Sequence, residues 1–273
     1  MTQPIIEAIN VSKLYPRKGG VLRRRMGTIR AVDHVSCLLG AGETLGLVGE
    51  SGCGKTTLAK LLVGLLAPSQ GDILVRGQSL ASLRGPVLRA ARRAVQFVFQ
   101  DPMNSLNPRM TVEEILSEPL LIHRLAFGAA RRARVTELLA TVQLPEAHRQ
   151  RLPRELSGGE RQRVGIARAL ATDPEILICD EPIASLDVSV GAQIMELLRR
   201  LAHLRRMALL FISHDLRAIA SLCERTAVMK AGRLVEAGAT DEILSRPRHP
   251  YTELLIRCAE LDLDTPFTPQ EGQ

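Results

Sequence analysis

No apolar run in these 273 residues approaches the ~18 needed for a membrane-crossing helix, so none is expected. The opening Met-Thr-Gln-Pro has no basic stretch followed by an apolar one, and no secretory signal is expected. Aromatics make up only 3% of the chain, so platforms on which nucleic-acid bases could stack are scarce. The five cysteines (Cys37, Cys53, Cys179, Cys223, Cys258) are scattered with no C-x-x-C pair. That spacing suits neither a zinc site nor a disulfide framework and points to a reducing cytosol. What remains is ordinary for a globular protein: 45% apolar and 24% charged, with length for one large domain or two small ones. The net charge of +7 is carried mostly by arginines in short, dispersed clusters such as Arg92-Arg93 and Arg205-Arg206. They read as solvated helix faces, ahead of a nucleic-acid surface or a seat near anionic lipid.

The informative stretch is Gly49-Glu50-Ser51-Gly52-Cys53-Gly54-Lys55-Thr56-Thr57, which fits G-x-x-x-x-G-K-[ST]. Residues 43–48 (ETLGLV) before it read as a short buried strand, and Thr57 onward reads as a helix. Glycines let consecutive backbone N–H groups converge on phosphate oxygens, and the helix start adds the positive end of its dipole. Lys55 is placed to reach the β- and γ-phosphates, and the Thr56 hydroxyl to take a Mg²⁺ position. The expected ligands are therefore a nucleotide and Mg²⁺. Cys53, at a helix start beside Lys55, is expected to have a lowered thiol pKa.

Taken in order, residues 4–15 read as an edge strand ending at Tyr15, an aromatic able to stack on a base, and 16–30 as an exposed basic loop or hairpin tip. Residues 31–39 form a strand that turns through Gly40–Gly42 into the phosphate loop. Pro68–Gly71 makes a turn before a hairpin at 72–77. Residues 87–94 look helical, and 94–99 (AVQFVF) form a buried strand ending at Gln100-Asp101-Pro102. Helical periodicity over 112–126 and 129–143 marks a helical insert, about 102–165. Leu156-Ser157-Gly158-Gly159-Glu160 opens a further helix to about Ala171, with Ser157 as N-cap, a second anion-binding helix start. Residues 175–179 (EILIC) form an apolar strand delivering Asp180 and Glu181. One carboxylate then suits a metal and the next an attacking water. A helix over 190–206 follows, then the strand 209–213 ending at His214, and a closing strand pair (226–229, 233–236). The stretch from Pro247 reads as a tail, fraying after about Glu260.

Assembled, these pieces resemble the ATP-binding cassette (ABC) ATPases over nearly the whole chain. The resemblance implies an α/β fold: a P-loop NTPase (RecA-like) core with a β-rich N-terminal edge subdomain and an inserted α-helical subdomain. It implies one ABC domain over 1–260 with a flexible tail over 261–273. Gly49–Thr57 matches the Walker A loop, and Asp180-Glu181 matches Walker B with its general base. Gln100 matches the Q-loop glutamine that touches Mg²⁺, and Ser157-Gly158-Gly159 the signature, whose usual fifth residue Gln is here Glu160. Asp187 matches the D-loop aspartate, His214 the switch histidine and Tyr15 the adenine-stacking aromatic. Since Glu181 and His214 are both present, the resemblance implies an active ATPase.

Finer likeness comes from FVFQDPMNSLNPRMTV, from FISHDL, and from Arg248-His249-Pro250-Tyr251-Thr252 followed by Leu254-Leu255. These look like the oligopeptide/dipeptide/nickel importer subfamily, and most like the second ATPase of its usual pair. The subfamily implies a second ABC ATPase (a heterodimer), two membrane-spanning permease subunits and an extracytoplasmic solute-binding protein. It places the chain at the cytoplasmic face of the bacterial inner membrane. Only Cys258 lies where longer members carry a cysteine-rich segment, so no iron–sulfur cluster is expected. A soluble ABC ATPase acting on nucleic acid or ribosomes is the rival. One cassette without sustained heptads speaks against it, and no nucleic-acid partner is expected.

Overall fold

The computed structural model describes residues 4–19, 24–100 and 105–264. Two long strands, β1 (Pro4–Gly19) and β2 (Arg24–Gly40), lead to β3 (Thr44–Val48) and α1 (Lys55–Leu62). Then come β4 (Gln70–Val75), β5 (Gln78–Ser79), α2 (Gly85–Ala94) and β6 (Val95–Val98). Three helices follow: α3 (Val112–Ile122), α4 (Gly128–Thr141) and, after two 3₁₀ turns, α5 (Gly158–Leu170). The chain re-enters the core with β7 (Ile176–Asp180), α6 (Val188–Arg205), β8 (Ala208–Ile212) and α7 (Leu216–Leu222). It closes with β9 (Arg225–Lys230), β10 (Arg233–Ala239), α8 (Thr240–Ser245) and α9 (Pro250–Asp264).

An antiparallel sheet of order β2-β1-β4-β5 lies against a larger one of order β10-β9-β3-β8-β7-β6. In the larger sheet β3, β6, β7, β8 and β9 run parallel, and β10 pairs antiparallel at the edge. The strands β3, β7 and β8 are buried along their full length, which is why they appear as unbroken apolar runs in the sequence. Their alternate side chains feed two cores. Leu177, Cys179, Leu209 and Phe211 join the helices of the 112–170 stretch, while Ile176, Ile178, Leu210 and Ile212 face α1 and the antiparallel sheet. Register aligns Leu47 with Ile212 and Ile212 with Asp180, so the carboxyl ends of three neighbouring strands open on one edge. In parallel α/β sheets that edge is where ligands sit.

Two expectations need correction. Residues 16–19 and 24–30 are not loop but strand, paired as Tyr15↔Ile29, Pro16↔Thr28 and Gly19↔Arg24. Pairing between β1 and β4 ends at Ser12↔Gln70, so Pro16 lies in a two-stranded ribbon where a missing N–H is tolerated. The stretch after Pro247 is also not simply tail: α9 begins at Pro250 and continues to Asp264. Tyr251 and Thr252, both buried, anchor it. Asp101 and Pro102, and the expected tail from residue 265, lie outside the described residues.

Candidate nucleotide site

β3 passes directly into a loop that only glycine can build. Gly49, Gly52 and Gly54 have φ of +150°, +79° and +111°. A Cβ on Gly49 would lie 2.1 Å from the Met229 carbonyl oxygen, and one on Gly54 would lie 2.1 Å from that of Ala31. The loop is pinned from outside: the Gly232 N–H donates to the Cys53 carbonyl at 2.8 Å, and the Glu50 N–H to the Tyr251 hydroxyl at 3.1 Å. Ser51 and Gly52, at its crest, are exposed. No side chain caps the start of α1, where Thr56 and Thr57 occupy the first turn, so the helix start keeps N–H groups free for an anion. Lys55 is 5% exposed, and its ammonium donates to the carbonyls of Gly49 (2.6 Å) and Glu50 (2.9 Å). A buried cation held by neutral carbonyls, inside a cradle that admits no Cβ, fits a polyphosphate.

The Cys53 expectation is overturned. The thiol is buried, and burial pushes its pKa up. Lys55, with Nζ 4.0 Å from the sulfur, offsets this only in part.

Asp180, at the end of β7, is 3% exposed, and its Oδ1 accepts the Thr56 hydroxyl at 3.1 Å. Burial raises its pKa and neighbouring Glu181 adds to the rise, while the Thr56 bond opposes both. Glu181 turns the chain at φ +46°, a left-handed conformation that costs a non-glycine residue about 1 kcal/mol. Its N–H donates to the Ile212 carbonyl at 2.9 Å. That turn aims the carboxylate at two neighbours: Gln100 Nε2 donates to Glu181 Oε2 at 3.1 Å, and His214 Nδ1 stands 3.5 Å from the same oxygen. Thr56, Gln100, Asp180, Glu181 and His214, far apart in sequence, thus meet at the carboxyl ends of β6, β7 and β8. Among the described residues no group of three or more His, Cys, Asp and Glu could hold a metal alone. Thr56 and Asp180 instead form a half-built oxygen site of the kind Mg²⁺ completes with phosphate oxygens and water. Both line a cleft of about 790 Å³, together with Lys60, Gln100, Glu118, His123 and Arg168.

The other sequence candidates lie apart from this cluster. Ser157 caps α5: its Oγ accepts the Glu160 N–H at 3.2 Å, and its N–H donates to Glu160 Oε2 at 2.7 Å. That N–H first, then His148 at 2.8 Å, holds the Glu160 carboxyl down at about 2. Gly158 and Gly159 pack against Leu186 and Val190, beside exposed Asp187, the N-cap of α6. Tyr15 stands 36% exposed on the β1–β2 ribbon with the Lys13 ammonium 5.6 Å from its ring centroid. Among the described residues no hydrogen bond joins Tyr15, Ser157, Gly158, Gly159 or Asp187 to the phosphate loop. Sequence reasoning missed Tyr251. The signal was available: His-Pro-Tyr-Thr places Pro250 at the first helical position and Glu253 in the first turn.

The family model described as ABC transporter matches residues 32–184, and that described as oligopeptide/dipeptide transporter, C-terminal region, matches residues 235–264. The oligopeptide transport ATP-binding protein AppF of Bacillus subtilis (strain 168) is 44% identical, over 93% of this chain and 78% of AppF. The dipeptide transport ATP-binding protein DppF of Escherichia coli (strain K12) is 42% identical, over 94% of this chain and 76% of DppF. A solved dimeric post-hydrolysis structure of the ATP-binding cassette MJ0796, bound to ADP and Pi, superposes with a TM-score of 0.76 at 32% identity, covering 86% of this chain and 98% of that one. With the loop, the carboxylates and the sheet edge in place, the chain belongs to the ABC transporter family, as an ATP-hydrolysing cassette of its oligopeptide/dipeptide branch.

Proposed function

We propose that this cassette powers uptake of peptides, nickel or related small solutes at the cytoplasmic face of the bacterial inner membrane. Two membrane-spanning permease subunits, a second ABC ATPase forming a heterodimer, and an extracytoplasmic solute-binding protein complete the machine. The convergence of Glu181, Gln100 and His214 beside Thr56 and Asp180 carries the reading. Among the described residues no helix is long and apolar enough to cross a membrane. The cassette comprises residues 1–260 and the end of α9 to Asp264, with the helical insert about 102–165.

The residues divide the work as follows. Backbone N–H groups of the loop from Gly49 to Thr57, including those of Ser51, Gly52, Cys53 and Gly54, frame the phosphates, while that of Glu50 is taken by the Tyr251 hydroxyl. Lys55 leaves the Gly49 and Glu50 carbonyls for the phosphate oxygens. Thr56, Gln100 and Asp180 would hold Mg²⁺, which would supply positive charge against the phosphates. Glu181 accepts the proton of the attacking water, and His214 fixes the orientation of that carboxylate and the water. Tyr15 stacks on the adenine. Ser157, Gly158, Gly159 and Asp187 stand on a different face and close over the nucleotide of the second ATPase. ATP then favours the closed pair and hydrolysis releases it, a switch driven by different affinities for two states.

The test is purification of the tagged chain from native membranes in mild detergent. Two multi-span proteins and a second ATPase are expected with it. Recovery instead with DNA or ribosomes would contradict the reading.

A further inference from the structure

The hydrogen bond between Tyr251 and Glu50 spans 201 positions of sequence and joins α9 to the phosphate loop. It joins the two family matches: Tyr251 lies in the stretch matched by the oligopeptide/dipeptide C-terminal family, and Glu50 in the 32–184 match to the cassette. The tyrosine is 3% exposed and its placement is built, not incidental. Glu236 on β10 accepts the N–H groups of Arg248 (2.8 Å) and His249 (3.1 Å), fixing the turn into α9. The Tyr251 N–H donates to His249 Nδ1 at 3.1 Å, and the Lys230 ammonium lies 4.5 Å from the phenol ring centroid. Ring and backbone are thus both held, and the hydroxyl is left to the loop.

Both main-chain polar groups of Glu50 are held: its N–H donates to the Tyr251 hydroxyl, and its carbonyl accepts from Lys55. We propose that Tyr251 is a positioning residue of the nucleotide site, whose hydroxyl holds the entry of the phosphate loop when Lys55 turns from the Glu50 carbonyl to phosphate. This rests on the nucleotide reading above. The Cys53 N–H also donates to the Glu50 carbonyl, at 3.3 Å, so with Lys55 turned to phosphate Tyr251 is the side chain that still holds Glu50. Its hydrogen bond is therefore worth more with nucleotide present, and losing it weakens binding through lost preorganisation.

The test uses the full chain with Tyr251→Phe, which keeps the ring and its packing and removes only the hydroxyl. MgADP affinity by calorimetry is expected to fall about fivefold, the scale of one neutral hydrogen bond. Amide hydrogen exchange at Glu50 is expected to quicken by a similar factor, while the amides of α9 keep their protection. Tyr251→Leu is expected to show the same Glu50 effect together with faster exchange along α9. Wild-type affinity and wild-type Glu50 exchange in Tyr251→Phe would overturn the proposal. So would a lowered Tm with exchange quickened only in α9, which is the mark of packing alone. A wild-type chain that takes up no MgADP would instead remove the nucleotide reading itself, and this inference with it.

Discussion

Gly159→Ala tests the packing between the first turn of α5 and α6. Gly159 lies in the first turn of α5 with ordinary helical dihedrals, so the substitution alone should gain up to about 1 kcal/mol of helix propensity. Against that, the added Cβ would sit 2.4 Å from Val190 Cγ1. Carbon atoms rest at about 3.5–4.0 Å, and a β-branched side chain on a helix has essentially one rotamer, so Val190 cannot turn aside. Overpacking of this kind costs about 1–3 kcal/mol and wins over the propensity gain. The net expectation is a loss of about 1–2 kcal/mol, or roughly 2–8 °C in Tm for a domain of this size. Gly158→Ala is the internal control. Its Cβ would meet only the far end of Leu186, at 3.2 Å, so stability should hold or rise. The assay is thermal and urea unfolding of Gly159→Ala, Val190→Ala and the double variant. A coupling of at least about 1 kcal/mol, with the double variant recovering stability, is expected. Additivity within about 0.5 kcal/mol, or equal losses in both glycine variants, would refute the reasoning.

Asp180→Asn should raise the Tm of the nucleotide-free chain while abolishing ATP turnover. Burial raises this carboxyl's pKa, so its ionised form at neutral pH costs stability, and the amide keeps an acceptor for Thr56; a lower Tm would contradict this. Glu160 has the opposite sign: held at about 2 against an ordinary 4.5, it stabilises the fold above about pH 4.5 and loses that contribution as pH falls through about 2. Glu160→Gln should therefore show a smaller fall in Tm from about pH 5 to 2 than wild type; parallel curves would argue otherwise. Maleimide at pH 7 should label exposed Cys258 first and leave buried Cys53 nearly untouched, as mass spectrometry would show.

The catalytic strands were legible in the sequence because burial on both faces writes itself as a continuous apolar run, as in residues 175–179 and 209–213. The phosphate loop was legible because backbone geometry there admits glycine alone, and the structure names the obstructions: the carbonyls of Met229 and Ala31. What failed to show depends on distant partners. At 16–19 and 24–30 proline and glycine left loop and hairpin tip both open, and the strand pairing that decides for the hairpin depends on the free edge of β1 beyond Ser12. The acidity of Cys53 was misjudged because its neighbour Lys55 is visible in sequence, whereas the burial that outweighs Lys55 comes from the fold. The helix start at Pro250-Tyr251 was visible locally, but the contact of Tyr251 with a residue 201 positions away was not.

The central claim is that Glu181 takes the proton from the attacking water beside a site built by Thr56 and Asp180. Its most direct test is steady-state ATP turnover by the purified assembly carrying Glu181→Gln, with nucleotide occupancy measured alongside. Gln keeps the size and a contact for Gln100 but cannot accept the proton. The account predicts that ATP still binds, that turnover falls at least about 100-fold, and that the cassette pair is trapped closed. Wild-type turnover in that variant would contradict it.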